Sequence, residues 1–119
     1  PLTGEILHKF GQNRDGGGPA WKGLFIRARQ GQEVRAVGSG RIAFADWLRG
    51  FGNLLIVDHG DGYLSLYSNN ESLYKQPGEP VRAGDVVAAV GATGGQDEPG
   101  LYFELRHQGK PFDPLTWVR

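Results

Sequence analysis

Glycines cut this chain at short intervals into runs of β-branched, aliphatic and aromatic residues, a punctuation that suits strands and tight turns. Glycine supplies 20 of the 119 residues, and segments with apolar residues at the helical period are scarce. The runs predict strands over 5–10, 24–28, 33–37, 40–46, 53–58, 63–67, 86–90 and 101–106. Asp61-Gly62 falls between two of them and reads as a hairpin turn, because glycine takes a positive φ with no Cβ in the way. The expected fold class is all-β with one sheet-based core, and 119 residues can bury such a core without disulfides or metal.

Two segments look alike. Gly31-Gln32-Glu33-Val34-Arg35-Ala36 and Gly78-Glu79-Pro80-Val81-Arg82-Ala83 share a Gly-x-x-Val-x-Ala frame and predict an internal pseudo-repeat. Similar elements occur in biotinyl and lipoyl carrier domains, which need a lysine at a turn tip. Lys9, Lys22, Lys75 and Lys110 do not stand in that context, so the repeat is expected to mark shared topology.

The formal net charge is zero and basic residues are dispersed, which removes the electrostatic basis for nucleic-acid binding. Cysteine is absent, excluding disulfides and thiol catalysis. No transmembrane run or signal peptide is visible, and a start at Pro1 predicts an excised or processed fragment. The three histidines share no ligand spacing. His8 lies in an alternating strand segment, His59 at a turn where a hydrogen-bonding role is expected, and His107 past the last core strand, where it is expected to be solvated.

On 101–106 the alternation puts Leu101, Phe103 and Leu105 on one face, expected to be buried, and Tyr102, Glu104 and Arg106 on the other. The surrounding stretch, Gly94-Gly95-Gln96-Asp97-Glu98-Pro99-Gly100-Leu101-Tyr102-Phe103-Glu104, resembles the His-x-His-Phe-Glu strand of the LytM domain, the M23 family of peptidoglycan endopeptidases. Gly100 and Tyr102 occupy the places of its histidines. Trp21-Lys22-Gly23-Leu24-Phe25 resembles the family's His-x-Gly-[Ile/Val]-Asp, and Tyr67-Ser68-Asn69 its Tyr-Ala-His. The resemblance implies a LytM (duplicated hybrid motif-like) antiparallel β-sheet or sandwich with an open groove, formed as a single degenerate domain over 1–119 at the C-terminal end of a longer chain. Catalytic zinc needs three protein ligands, and hydrolysis needs a group that moves protons near neutral pH. The substituted positions supply neither, so the resemblance implies no enzyme activity, no cofactor and no metal.

The resemblance extends from Leu7-x-x-Phe10-Gly11 to Asp113-Pro114 and sharpens to the EnvC-type activators of cell-wall amidases through Ala45-Asp46-Trp47-Leu48-Arg49-Gly50 and Gly95-Gln96. Phe51-Gly52-Asn53, Leu64-Ser65-Leu66-Tyr67 and Val81-Arg82-Ala83-Gly84 add to it. The implied partner is a periplasmic zinc-dependent N-acetylmuramoyl-L-alanine amidase, relieved of autoinhibition at the division septum of a Gram-negative bacterium. A division-site membrane complex of FtsE-FtsX type would be reached through regions absent here, and peptidoglycan is a further possible ligand. The implied partner-binding groove comprises Trp21, Lys22, Phe25, Leu54, Tyr67, Asn69, Tyr102, Glu104 and Arg106. Trp21 and Phe25 read equally as a plug of the emptied zinc cavity, while Lys22, Tyr102 and Arg106 carry polar ends suited to recognition. Trp47 and Trp117 are expected to be structural, with a partner surface as the alternative for Trp47, because exposed apolar loop residues can mark one. Two alternatives stand beside activation: a peptidoglycan-binding module of the related NlpD type, and a residual zinc endopeptidase.

Overall fold

The computed structural model describes residues 2, 4–13, 21–93 and 98–116; Pro1, Gly95-Gln96 and Trp117 lie outside them. The strands are β1 (Glu5–His8), β2 (Leu24–Arg27), β3 (Glu33–Arg35), β4 (Gly40–Leu48), β5 (Gly52–Gly60), β6 (Tyr63–Leu73), β7 (Pro80–Val81), β8 (Val86–Val90), β9 (Gly100–His107) and β10 (Lys110–Phe112), followed by a 3-10 turn over Pro114–Thr116. They hydrogen-bond into one network in the order β1-β2-β9-β6-β5-β4-β7, with β10 on β9, and β8 bridging β6 and β3. The strand pairings are antiparallel. The all-β antiparallel expectation therefore holds.

The Asp61-Gly62 hairpin is present, with φ of 54° and 82° at its two central residues. Both are positive, as the right-handed twist of the flanking strands requires of a two-residue loop. β6 runs to Leu73, past the expected end at 67, through Ser68-Asn69-Asn70-Glu71. Its polar residues mark a change of partner: residues 63–68 pair with β9, and from Asn70 onward the strand pairs with β8. At the change Asn69 takes φ of 73°, and side-chain amides replace ladder bonds, Asn70 Nδ2 donating to the carbonyls of Tyr67 (2.9 Å) and Asn53 (3.0 Å).

The pseudo-repeat is geometric as well as sequential. Gly31 N donates to Val90 O (2.8 Å) and Val90 N returns to Gln32 O (2.9 Å); Gly78 N donates to Ile42 O (2.8 Å) and Ile42 N returns to Glu79 O (2.9 Å). Each turn feeds a short strand, β3 or β7, whose valine, Val34 or Val81, is buried. The units are interlocked: β3 pairs with β8, which follows β7, and β7 pairs with β4, which follows β3.

One face of the sheet forms the main core, with Leu24, Ile26, Leu55, Tyr67, Leu101 and Phe103 packed against Val34, Val87 and Val90. His59 has the hydrogen-bonding role expected of it: Nδ1 meets Ser39 O at 2.8 Å and Nε2 meets Ser65 Oγ at 2.7 Å. Two expectations are corrected. Trp47, expected to be structural, is 58% exposed near the end of β4, because the β4–β5 hairpin carries it beyond the packed part of the sheet. His107, expected to be solvated, is half-buried and stacked on Tyr63 at 4.1 Å, its cross-strand partner.

Candidate functional site

The opposite face of the sheet is organised around Tyr102, Glu104 and Arg106. β9 places Leu101, Phe103 and Leu105 in the core, so strand alternation turns the intervening three to the other side. Register then fixes their neighbours. Tyr102 lies opposite Phe25 on β2 and Ser68 on β6, and Glu104 lies opposite Leu66.

Glu104 is only 1% exposed. A buried carboxylate must be both hydrogen-bonded and charge-compensated. Its two oxygens are used accordingly: the Tyr102 hydroxyl donates to Oε1 at 2.5 Å and Arg106 Nε donates to Oε2 at 2.6 Å. The arginine side chain remains 30% exposed, so the pair has a dry end and a wet end.

The Tyr102 ring is flanked by Trp21 at 6.1 Å and Phe51 at 6.3 Å between centroids. His8 stacks on Trp21 at 4.3 Å, with ring planes nearly parallel at 11°, and its ring lies 6.3 Å from Phe25. Trp21 is not on β2 itself. It precedes the strand and is held by backbone bonds, Gly11 N to Trp21 O (2.7 Å) and Trp21 N to Gln12 O (2.9 Å). Trp21 and Phe25 are 7% and 1% exposed, so they form a packed floor that leaves little of either for contact.

The other sequence-derived positions divide. Lys22 is exposed beside Trp21. Leu54 is buried but outside the main core cluster. Asn69 is buried, with Nδ2 donating to the carbonyls of Gly91 (3.0 Å) and Gly100 (2.9 Å), which ties β6 to the start of β9. Tyr67 does not belong with the group. Register sets it opposite Phe103, so it points into the core, where Val37 N donates to its hydroxyl at 3.0 Å and Ser65 Oγ lies 2.8 Å away. Burial pushes its phenol up to about 12, against the smaller lowering effects of the bonds to Ser65 and Val37. His8 and Phe51, which the sequence reading did not place here, complete the aromatic cluster. Both depend on tertiary register: His8 reaches the cluster because β1 pairs with β2 opposite Phe25.

Zinc does not fit these residues. Zn²⁺ takes imidazole, thiolate or carboxylate donors, three of them from protein, whereas the side chains brought together are Trp21, Phe25, Tyr102 and one imidazole, His8, stacked on Trp21, and the nearby carboxylate of Glu104 is already engaged by tyrosine and arginine. Among the described residues no group of three His, Cys, Asp or Glu side chains could hold a metal ion.

Residues 19–114 match Peptidase family M23. The murein hydrolase activator EnvC of Escherichia coli is 45% identical over 118 residues, a match covering 99% of this chain and 28% of that protein. The murein hydrolase activator NlpD of Salmonella typhimurium is 36% identical over 119 residues, covering 99% of this chain and 30% of that protein. The chain thus spans about three-tenths of the length of these relatives. Among solved structures, the catalytic domain of the antimicrobial peptidase lysostaphin from Staphylococcus simulans superposes with a TM-score of 0.86 at 26% identity, covering 95% of this chain and 90% of that one. A zinc containing peptidase from Vibrio cholerae gives 0.85 at 24% identity, covering 92% and 35%, a likeness of fold alone.

Proposed function

The chain belongs to peptidase family M23, and from that membership we propose that it is a non-catalytic activator of periplasmic zinc-dependent N-acetylmuramoyl-L-alanine amidases, working at the division septum of a Gram-negative cell. The observation that carries this reading is the burial of two aromatic side chains, Trp21 beside the Tyr102 ring and Phe25 cross-strand from Tyr102, where the family resemblance would put metal ligands. Aromatic carbon at that point cannot activate water, yet it builds a packed floor beside the more exposed Tyr102 and Arg106, with Lys22 exposed next to Trp21 in sequence. Tyrosine and arginine are enriched at binding hot spots because they combine area with directional polar groups. Relatives named as murein hydrolase activators, matched over almost this whole chain, support the same reading.

The domain docks a helical segment that keeps the amidase closed and favours the open form by differential binding. Regions outside this chain couple the activator to a division-site membrane complex of FtsE-FtsX type. The test is release of dye from labelled cell wall by a purified amidase with and without this chain. Activation predicts faster release with both proteins and none from the chain alone, with or without added Zn²⁺. Chelator-sensitive release by the chain alone would establish an endopeptidase instead. Retention on sacculi without faster release would establish a peptidoglycan-binding module.

A further inference from the structure

We propose that the end of the sheet built by β6, β9 and β10 is a seat for a sugar ring bearing a carboxylate, the muramoyl acid that an N-acetylmuramoyl-L-alanine amidase leaves on the glycan; the choice of that sugar acid rests on the activator reading. An open cavity of about 340 Å³ lies there, lined by Tyr63, His107, Lys110, Pro111, Phe112 and Thr116. Ligand pockets run from about 300 to 1,000 Å³, so this one suits a single ring. Register builds it. Tyr63 and Lys110 both lie opposite His107, one on each side of β9. Tyr63 stacks on His107 at 4.1 Å with 17° between the planes, and meets Phe112 edge-on at 6.3 Å and 84°. The two hairpin tips beside the cavity are joined, Gln108 N donating to Gly62 O at 2.9 Å. Past β10, Asp113 Oδ1 accepts from Leu115 N (3.0 Å) and Thr116 Oγ1 donates to Asp113 O (2.7 Å), which fixes the 3-10 turn at the rim.

The three rings are half-buried, so each is held by the fold and still offers surface. Lys110 is exposed and among the described residues has no ion-pair partner, and no carboxylate lines the cavity. Aromatic carbon beside one cation selects an anion with an apolar face. A pyranose supplies that face, because its C–H groups pack on aromatic carbon while its hydroxyls reach the Thr116 hydroxyl and the water at the rim. The amidase reaction supplies the charge: water adds across the muramoyl–alanine amide, leaving a carboxylate on the lactyl ether of the sugar and an ammonium on the alanine. The uncut strand has no charge at that atom, so Lys110 distinguishes product from substrate. Alternation turns Arg106 and His107 to opposite faces of β9, and a sugar held here does not compete with a partner docked beside Tyr102. A domain that holds the enzyme can thus also hold the stripped glycan.

The experiment is an NMR titration of the isotope-labelled chain with N-acetylmuramic acid, its uncharged methylamide, and lactate as the carboxylate without the sugar. We expect saturable shifts at Tyr63, His107 and Lys110 to Phe112, with the acid bound about three- to tenfold more tightly than the methylamide, the range between an exposed ion pair and a charged hydrogen bond. Lys110→Gln, which removes only an exposed side chain's charge, should erase that preference, and Tyr63→Leu should weaken acid and methylamide alike. Absence of saturable shifts, equal affinity for acid and methylamide, or a preference that survives Lys110→Gln overturns the seat. Lactate binding as tightly as the sugar acid overturns the choice of a saccharide, and shifts confined to the Tyr102 face overturn the location. The dye-release assay separates this proposal from the reading it rests on. Faster release by the amidase with no binding of the acid sinks the seat alone, whereas binding of the acid without faster release keeps the seat and removes the activator.

Discussion

A single added carbon at Gly100 would meet two obstacles, because a Cβ there would lie 2.6 Å from the Ile26 carbonyl oxygen and 2.6 Å from Cζ of Phe25. The first is backbone in the β2–β9 ladder and cannot yield without breaking pairing. The second is the ring that packs the floor of the candidate site. Gly100→Ala is therefore expected to destabilise the fold by about 1–3 kcal/mol, as overpacking does, read as a lower urea midpoint at unchanged slope. Adding Phe25→Leu should recover little, since the carbonyl remains; full recovery would mean that the ring alone sets the limit. In the sequence Gly100 was legible only as the place of a missing histidine. That its lack of a side chain is a steric requirement follows from the register of β2 on β9, which no local pattern encodes. Alternation did reveal that Tyr102, Glu104 and Arg106 share a face, because period two is local. It could not reveal that Glu104 is buried while its neighbours are half-open, since burial depends on what the adjoining strands bring. Tyr67 shows the same limit. Its motif drew it to the groove, and its pairing with Phe103 put it in the core.

At the level of elements, the two Gly-x-x-Val turns are one device used twice, and their chemistry should be interchangeable. Gly31 and Gly78 have φ of 87° and 93°, and a Cβ at either would meet nothing within 4 Å. Substitution by alanine thus tests backbone conformation alone. We expect Gly31→Ala and Gly78→Ala each to lose about 1–2 kcal/mol, the scale for an L residue forced to positive φ, and the two losses to agree closely in urea unfolding. A large disparity would show that the turns differ in what they support, despite matching hydrogen bonds. The repeat was readable because both turns need the same residue types in the same order. Its interlocking was not, since Gly-x-x-Val-x-Ala carries no record of which strand pairs with which. The short strands were harder. β7 is two residues beginning at Pro80, and β10 contains Pro111, so neither presents an alternating run. Both are edge pieces, where proline costs the sheet no needed donor.

The whole molecule is one sheet with two differently finished faces, and the core face contains a polar chain that ties distant segments together. Val37 N donates to the Tyr67 hydroxyl (3.0 Å), which is bonded to Ser65 Oγ (2.8 Å), which meets His59 Nε2 (2.7 Å), while Nδ1 meets Ser39 O (2.8 Å). The Ser39 carbonyl only accepts, so the ring proton sits on Nδ1. Nε2 of a neutral ring then accepts from Ser65, whose oxygen accepts from Tyr67, and every group is satisfied. The phenol at the centre couples this chain to pH. Burial, outweighing the bonds to Ser65 and Val37, pushes its pKa from 10.0 to about 12, so the folded state holds the proton more tightly than the unfolded chain does. The resulting stabilisation is fully present below pH 10, declines as the unfolded chain ionises above it, and is lost by pH 12. Two units correspond to about 3 kcal/mol. Urea unfolding of wild type and Tyr67→Phe between pH 8 and 12 isolates that share, because the other tyrosines and the lysines contribute equally to both proteins. Below pH 10 the phenylalanine variant should be weaker by about 1–2 kcal/mol for its lost hydrogen bonds. Above pH 10 the two curves should converge and then cross, because a loss of about 3 kcal/mol exceeds that gap, and curves that stay parallel to pH 12 would mean that Tyr67 ionises no differently in the folded protein than in the unfolded chain.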